Sequence, residues 1–189
     1  MYPGTTLRVV PGFFIFKDME IQENIINKVA QSGLVTLDPA SFYPQGDRVV
    51  YDIKDNLFME LILREKDFRE FVKGHDWAQY EGKYVAVTCT ADAIVPAWAY
   101  MLLANRLAPY AKEVVFGDAE VLETVLFVKE IAKNDFEQYR DQRIVLKGCG
   151  DIPVPVSAYV ELTKKLTPIA KSLMFGEPCS TVPIYKRKD

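Results

Sequence analysis

The feature that most constrains how this 189-residue chain can fold is a match to itself at an offset of 59 residues. Block 76–118 aligns with block 135–177 without a gap, with 15 identities in 43 positions. Asp76, Gln79 and Tyr80 recur as Asp135, Gln138 and Tyr139. Pro96, Ala99 and Tyr100 recur as Pro155, Ala158 and Tyr159, and Phe116-Gly117 recurs as Phe175-Gly176. Chance rarely produces this, so the blocks read as an internal duplication. Each copy runs through a loop, a strand, an acidic loop, a Pro-started helix and a strand ending Phe-Gly-acid. Repeated units usually stack because one alone cannot bury its apolar face. Most matched positions therefore read as architecture: the prolines as helix starts and ends, and Leu103, Leu107, Leu162 and Leu166 as core.

Periodicity fills in the rest. Ile21, Ile25 and Val29 recur at helical spacing and Gly33 follows as a stop. Asp38-Pro39 reads as the cap and first position of a helical turn. Residues 48–53 alternate as a strand, and Lys54-Asp55-Asn56 reads as the bend to a second strand near 58–63, giving an antiparallel hairpin. A helix follows over 65–74. Strands near 84–88, 114–116, 143–147 and 173–175 then alternate with helices near 96–110, 120–132 and 155–167. That alternation predicts a three-layer α/β fold with a mostly parallel, internally duplicated sheet behind the hairpin. Residues 1–18 read as a loose arm before a single domain spanning 19–189.

Apolar residues make up 49% and charged residues 26% of the chain, the balance of a globular domain. Disorder, collagen and a disulfide scaffold are excluded. The net charge of −3 lacks the basic excess of a duplex-binding protein, so no nucleic-acid partner is expected. The apolar run near 9–16 is short and broken by Pro11 and Gly12, so neither a membrane span nor a secretory signal is read. The cytoplasm is then the expected compartment, and three widely spaced cysteines there argue against disulfides.

The cysteines carry the chemistry. Cys89 and Cys149 follow strands, and Cys179 follows the strand ending near Phe175. In one parallel sheet all strand carboxyl ends share an edge, and such edges are where open α/β sheets bind ligands. Cys89, Cys149 and Cys179 are thus expected on one rim, with Asp92 or Asp151 completing a shell. Thiolates suit zinc or an iron–sulfur cluster better than magnesium or calcium. Against this, free cysteine is often a small buried filler, and no Cys-x-x-Cys pair is present.

Other signals are weaker. His75 is the only histidine and is expected at the amino end of the sheet, away from the cysteines, so a Cys–His dyad is disfavoured. Gly148-Cys149-Gly150-Asp151-Ile152-Pro153 opens like a dinucleotide fingerprint but has proline at the third glycine position. Cys179, within a segment dense in turn formers, is the candidate for an exposed reactive thiol. The aspartates at 92 and 151 read equally as acid–base groups or as helix-start residues.

The stretches Leu34-Val35-Thr36-Leu37-Asp38, Lys83-Tyr84-Val85-Ala86-Val87, Ala97-Trp98-Ala99-Tyr100-Met101-Leu102, Val114-Val115-Phe116-Gly117-Asp118 and 171–183 resemble the bacterial domain of unknown function 2480 family. The likeness covers about 19–188, and the last stretch is the most specific. The resemblance implies no established activity and no site residue. It implies company with iron–sulfur cluster assembly proteins, in agreement with a three-thiolate rim. The first functional expectation is therefore a protein holding zinc or a cluster through its three cysteines, with cluster-assembly proteins as partners. The second is a non-catalytic interaction or scaffold protein with structural cysteines. The third is an enzyme using Cys179 as nucleophile. Oligomeric state is not legible.

Overall fold

The computed structural model describes residues 33–177 and 179–188. The expected arm over 1–18 and the helix around Ile21 to Val29 lie outside the described residues. Among the described residues there are seven strands and four α-helices, in a mixed α/β fold.

The strands form two sheets. In one, β2 (Arg48–Asp52), β3 (Tyr84–Thr88) and β4 (Glu113–Phe116) run parallel in the order β2-β3-β4. In the other, β1 (Leu34–Leu37), β5 (Arg143–Leu146) and β6 (Ser172–Glu177) run parallel, and β7 (Ser180–Lys186) adds antiparallel to β6. The expected single sheet is therefore two, and the expected three layers become helix, sheet, helix, sheet. Helices α1 (Glu65–Gly74) and α2 (Ala97–Leu107) cover one face of the three-stranded sheet through Phe68, Val72, Ala99, Leu103 and Leu107. Helix α3 (Ala119–Lys133) covers its other face through Leu122 and Leu126. The same helix turns Phe127 and Ile131 into the core of the four-stranded sheet, beside Ala158, Leu162 and Leu166 of α4 (Val156–Leu166).

Local sequence explains these elements. Buried residues recur every four positions in α2 and α4, the spacing that puts them on one helical face. Pro96 and Pro155 sit at the caps of the two helices, with extended backbone. Asp118 starts α3 by accepting the Val121 N–H at 2.9 Å. Fully burying side chains such as Phe68 and Phe127 contributes roughly 2–3 kcal/mol each. The buried residues of the first core (Phe68, Val72, Trp77, Val85, Val87) have buried counterparts 59 positions on (Phe127, Ile131, Phe136, Ile144, Leu146). Helices α2 and α4, and the short 3-10 turns Ala78–Tyr80 and Glu137–Tyr139, stand at the same offset.

The expected antiparallel hairpin does not form. β2 pairs with β3, in parallel, and the chain after it closes into the 3-10 turn Ile53–Asn56. Asp52 caps that turn, so the segment expected to bend into a partner strand coils instead. What remains of that second strand is a single antiparallel bridge between Phe58 and Ile62.

Candidate functional site

The carboxyl edge of the four-stranded sheet holds a cavity of about 580 Å³, within the range of small-molecule sites. Four elements build it. Asp38 leaves the end of β1 and caps the 3-10 turn Pro39–Phe42, accepting the Ala40 N–H at 2.9 Å. Its other carboxylate oxygen accepts from Lys147 Nζ at 3.0 Å, where Lys147 directly follows β5. Burial pushes the Asp38 carboxyl up, but the Ala40 amide and the Lys147 ammonium outweigh it, so the group is held below its ordinary value. The hydrogen bond and charge of Asp38 in turn hold the Lys147 ammonium above its ordinary value, with Glu177 and Asp151 adding to the effect.

Tyr159, in the first turns of α4, donates its hydroxyl to the Lys147 carbonyl at 3.3 Å. Its ring meets that of Phe175 on β6 edge-on, with centroids 5.5 Å apart. Burial, then the nearby Asp38 and Cys149, raises the Tyr159 hydroxyl above its ordinary value. The fourth element is the loop Gly148-Cys149-Gly150, which leads toward α4. A Cβ on Gly148 would lie 2.7 Å from the Phe175 ring, so glycine there lets that ring close against the backbone. The N–H groups of residues 148–150 meet no main-chain acceptor among the described residues. Among the described residues no side chain caps the start of α4. Ile152, Val154 and Val156 complete an apolar side.

The three-stranded sheet has a matching corner. Asp52 ends β2 and caps its own 3-10 turn through the Lys54 N–H at 3.0 Å. Thr90, 59 positions before Cys149, gives Asp52 its N–H at 3.1 Å and its hydroxyl. Burial raises the Asp52 carboxyl, but the bonds from Thr90 and Lys54 outweigh it and the net effect is a lowered value. Tyr100 on α2 meets Phe116 on β4 edge-on at 4.9 Å.

The expected thiolate shell is divided between the two sheets. Cys89 follows β3 of the three-stranded sheet, is half-buried against that core, and donates its thiol to the Ala91 carbonyl at 3.7 Å. Cys149 is exposed on the cavity wall, and Cys179 is exposed between β6 and β7. Asp92 and Asp151 are exposed in loops. Among the described residues no group of three or more His, Cys, Asp or Glu is placed to hold a metal ion. The five residues therefore do not fit zinc or a cluster as one shell. The expectation assumed a single sheet with a single rim, and α3 instead stands between two. His75 sets its ring against Trp77 at 4.5 Å and edge-on to Tyr51 at 6.2 Å, with its Nε2 3.1 Å from the Gln79 amide.

Asp38, Lys147, Tyr159 and Phe175 escaped the sequence reading as site residues. Asp38 read as a turn cap, Lys147 as a strand end, and the two aromatics as repeat architecture. The signal that could have found them is the lysine directly before the Gly-Cys-Gly loop, at the carboxyl end of a strand.

A family model described as protein of unknown function (DUF2480) matches residues 23–187. The chain belongs to the DUF2480 family. A search of the curated proteins found no match, and a search of the solved structures found none. Among the described residues of this DUF2480 protein, no helix is long and apolar enough to cross a membrane.

Proposed function

We propose that this DUF2480 protein binds a small amphipathic molecule, anionic at one end, in the cavity at the carboxyl edge of its four-stranded sheet. The observation that carries the reading is that cavity's division into two parts. One part has the Lys147 ammonium, which is shared with the Asp38 carboxylate in the same lining, the amides of residues 148–150, which meet no main-chain acceptor among the described residues, and the start of α4, which no described side chain caps. Each of these favours negative charge. The other part has Phe175, Ile152, Val154 and Val156, which suit an apolar body. The chain is, in this reading, two copies of one α/β unit, of which the second keeps its corner open for a ligand.

Phenyl phosphate and inorganic phosphate serve as probes. Amide NMR signals of residues 148–150 are expected to shift with phenyl phosphate, and less with phosphate alone. Alkylation of Cys149 by iodoacetamide is expected to slow when phenyl phosphate is present. Lys147→Met is expected to remove both responses. Unmoved amides and unchanged alkylation at millimolar probe would overturn the reading.

A further inference from the structure

The two sheets differ at one edge. In the four-stranded sheet, β7 covers the outer side of β6, pairing Phe175 with Val182 and Leu173 with Tyr185. In the three-stranded sheet, β4 holds the corresponding place, and among the described residues no strand covers its outer side. The apolar groove beside each strand is built alike. Val87, Tyr100, Met101 and Phe116 line the first, and Leu146, Tyr159, Val160 and Phe175 line the second. The second groove has an extra wall, Ile184 of β7. The uncovered copy shows the difference in exposure: Phe116 is 69% exposed where Phe175 is 37%. Met101 beside it is 70% exposed. The molecule thus contains its own example of what covers this surface, an antiparallel strand carrying apolar side chains.

We propose that two copies of this chain pair antiparallel through their β4 strands, joining their three-stranded sheets into one continuous sheet. The register follows from hydrogen bonding and charge. Gly117 donates its N–H to Val87 of β3, so by alternation Phe116 and Val114 turn their N–H and C=O groups to the open edge. Centring the two-fold axis on Val115 places Val114 opposite the partner's Phe116, where they exchange both bonds. That register also sets Lys112 opposite Asp118 of the second copy at both ends of the ladder, and pairing requires the Lys112 ammonium, which lies over the Tyr84 ring at 5.4 Å in the single chain, to turn out to the Asp118 oxygen that does not cap α3. A shift of one position would turn the outward groups of one strand against the inward groups of the other. Shifts of two keep the hydrogen bonds but lose the Lys112–Asp118 pairing. A lone exposed strand edge is a liability that proteins usually cover, and a two-fold pairing covers it in both copies at once. The contact is small, so association is concentration-dependent.

The full chain is to be followed by sedimentation over a wide concentration range. A reversible dimer is expected. Val114→Pro removes an outward N–H without touching the β3 ladder, and Phe116→Glu puts charge on the groove. Each is expected to leave a monomer with wild-type circular dichroism. Lys112→Glu is expected to weaken association about tenfold. In a chain carrying Cys89→Ala, Cys149→Ser and Cys179→Ser, Val115→Cys is expected to form an inter-chain disulfide on mild oxidation, since non-hydrogen-bonded antiparallel pairs bring Cα atoms close enough. Val50→Cys on the opposite edge strand is expected to form none. A chain that sediments as a monomer at hundreds of micromolar overturns the proposal. So does a dimer that survives both Val114→Pro and Phe116→Glu, or one in which Val115→Cys fails to cross-link.

Discussion

At the edge of the three-stranded sheet, Asp52 is tied to the following loop by the amide and hydroxyl of Thr90. At the edge of the four-stranded sheet, Asp38 is tied to the strand end by Lys147, and the loop beyond carries glycines on both sides of Cys149. The surroundings are otherwise alike: an aspartate capping a 3-10 turn, a tyrosine in the first turns of a helix and a phenylalanine edge-on to it. Two similar corners thus differ, one laced and one open, where Thr90 stands in the loop after β3 and Cys149, 59 positions on, stands in the loop after β5. The difference between the two corners is a property of the loop, and the strands and helices around it are alike.

The comparison can be broken at several places. The largest effects are expected in the equivalent core positions, where Phe127→Ala and Phe68→Ala should each cost about 3–5 kcal/mol in urea unfolding. Phe127 should lie at the upper end, because its helix serves both sheets. A Phe68→Ala loss twice that of Phe127→Ala would break the assignment of α3 as the shared layer. Next come the two Phe-Gly-acid turns. Gly117 and Gly176 both have positive φ, 138° and 120°. A Cβ on Gly176 meets the Ser180 carbonyl at 2.6 Å, whereas one on Gly117 meets the Val121 side chain at 2.7 Å. Since backbone yields less than a side chain, thermal unfolding should show Gly176→Ala losing about 3 kcal/mol and Gly117→Ala about 2 kcal/mol. Equal losses would mean the two turns relax alike.

The aspartates come third. Asp52→Ala removes a cap and two bonds from Thr90, and should cost about 2 kcal/mol by chemical unfolding. Asp38→Ala loses its cap and a half-exposed ion pair, and should cost about 1 kcal/mol. Both carboxyls are held below their ordinary values in the folded chain. Their contribution is therefore complete above the unfolded carboxylate pKa of about 4 and is lost as pH falls through the lower folded values. Acid unfolding of Asp52→Asn should show a shallower loss below about pH 4 than wild type, and Asp38→Asn a smaller change of the same sign. The least expected effect is on stability in Lys147→Met, within about 0.5 kcal/mol, since the ion pair is surface-exposed. A larger destabilisation would make Lys147 a structural residue and weaken its place in the cavity.

Much of the element order was legible. The helix 65–74, the strand Tyr84–Thr88 and the Pro-led helices after Pro96 and Pro155 lie where periodicity placed them. Two strands were not. β1 is only Leu34–Leu37, hidden between a glycine stop and a capped turn. β7 contains Pro183, which demotes a run in sequence reading, yet it sits on an edge strand at a register shift where proline is tolerated. The division into two sheets was the larger omission. Local pattern names strands but not their neighbours, and the clue lay in α3. Val121, Leu122, Val125, Leu126, Phe127 and Ile131 give that helix apolar residues on more than one side, the mark of a buried helix rather than a covering one. The cavity was hidden for the same reason. A rim assigned to one sheet gathered three thiols on paper, while Asp38 and Lys147, 109 positions apart, meet only once β1 lies beside β5.

Helix α3 is in effect a party wall: Leu122 and Leu126 belong to one room, Phe127 and Ile131 to the other. Neither half could be cut out as a free-standing fragment, because whichever piece kept the wall would show its far side to water. The two sheets should melt together in one transition, and a lesion in either room would be felt next door.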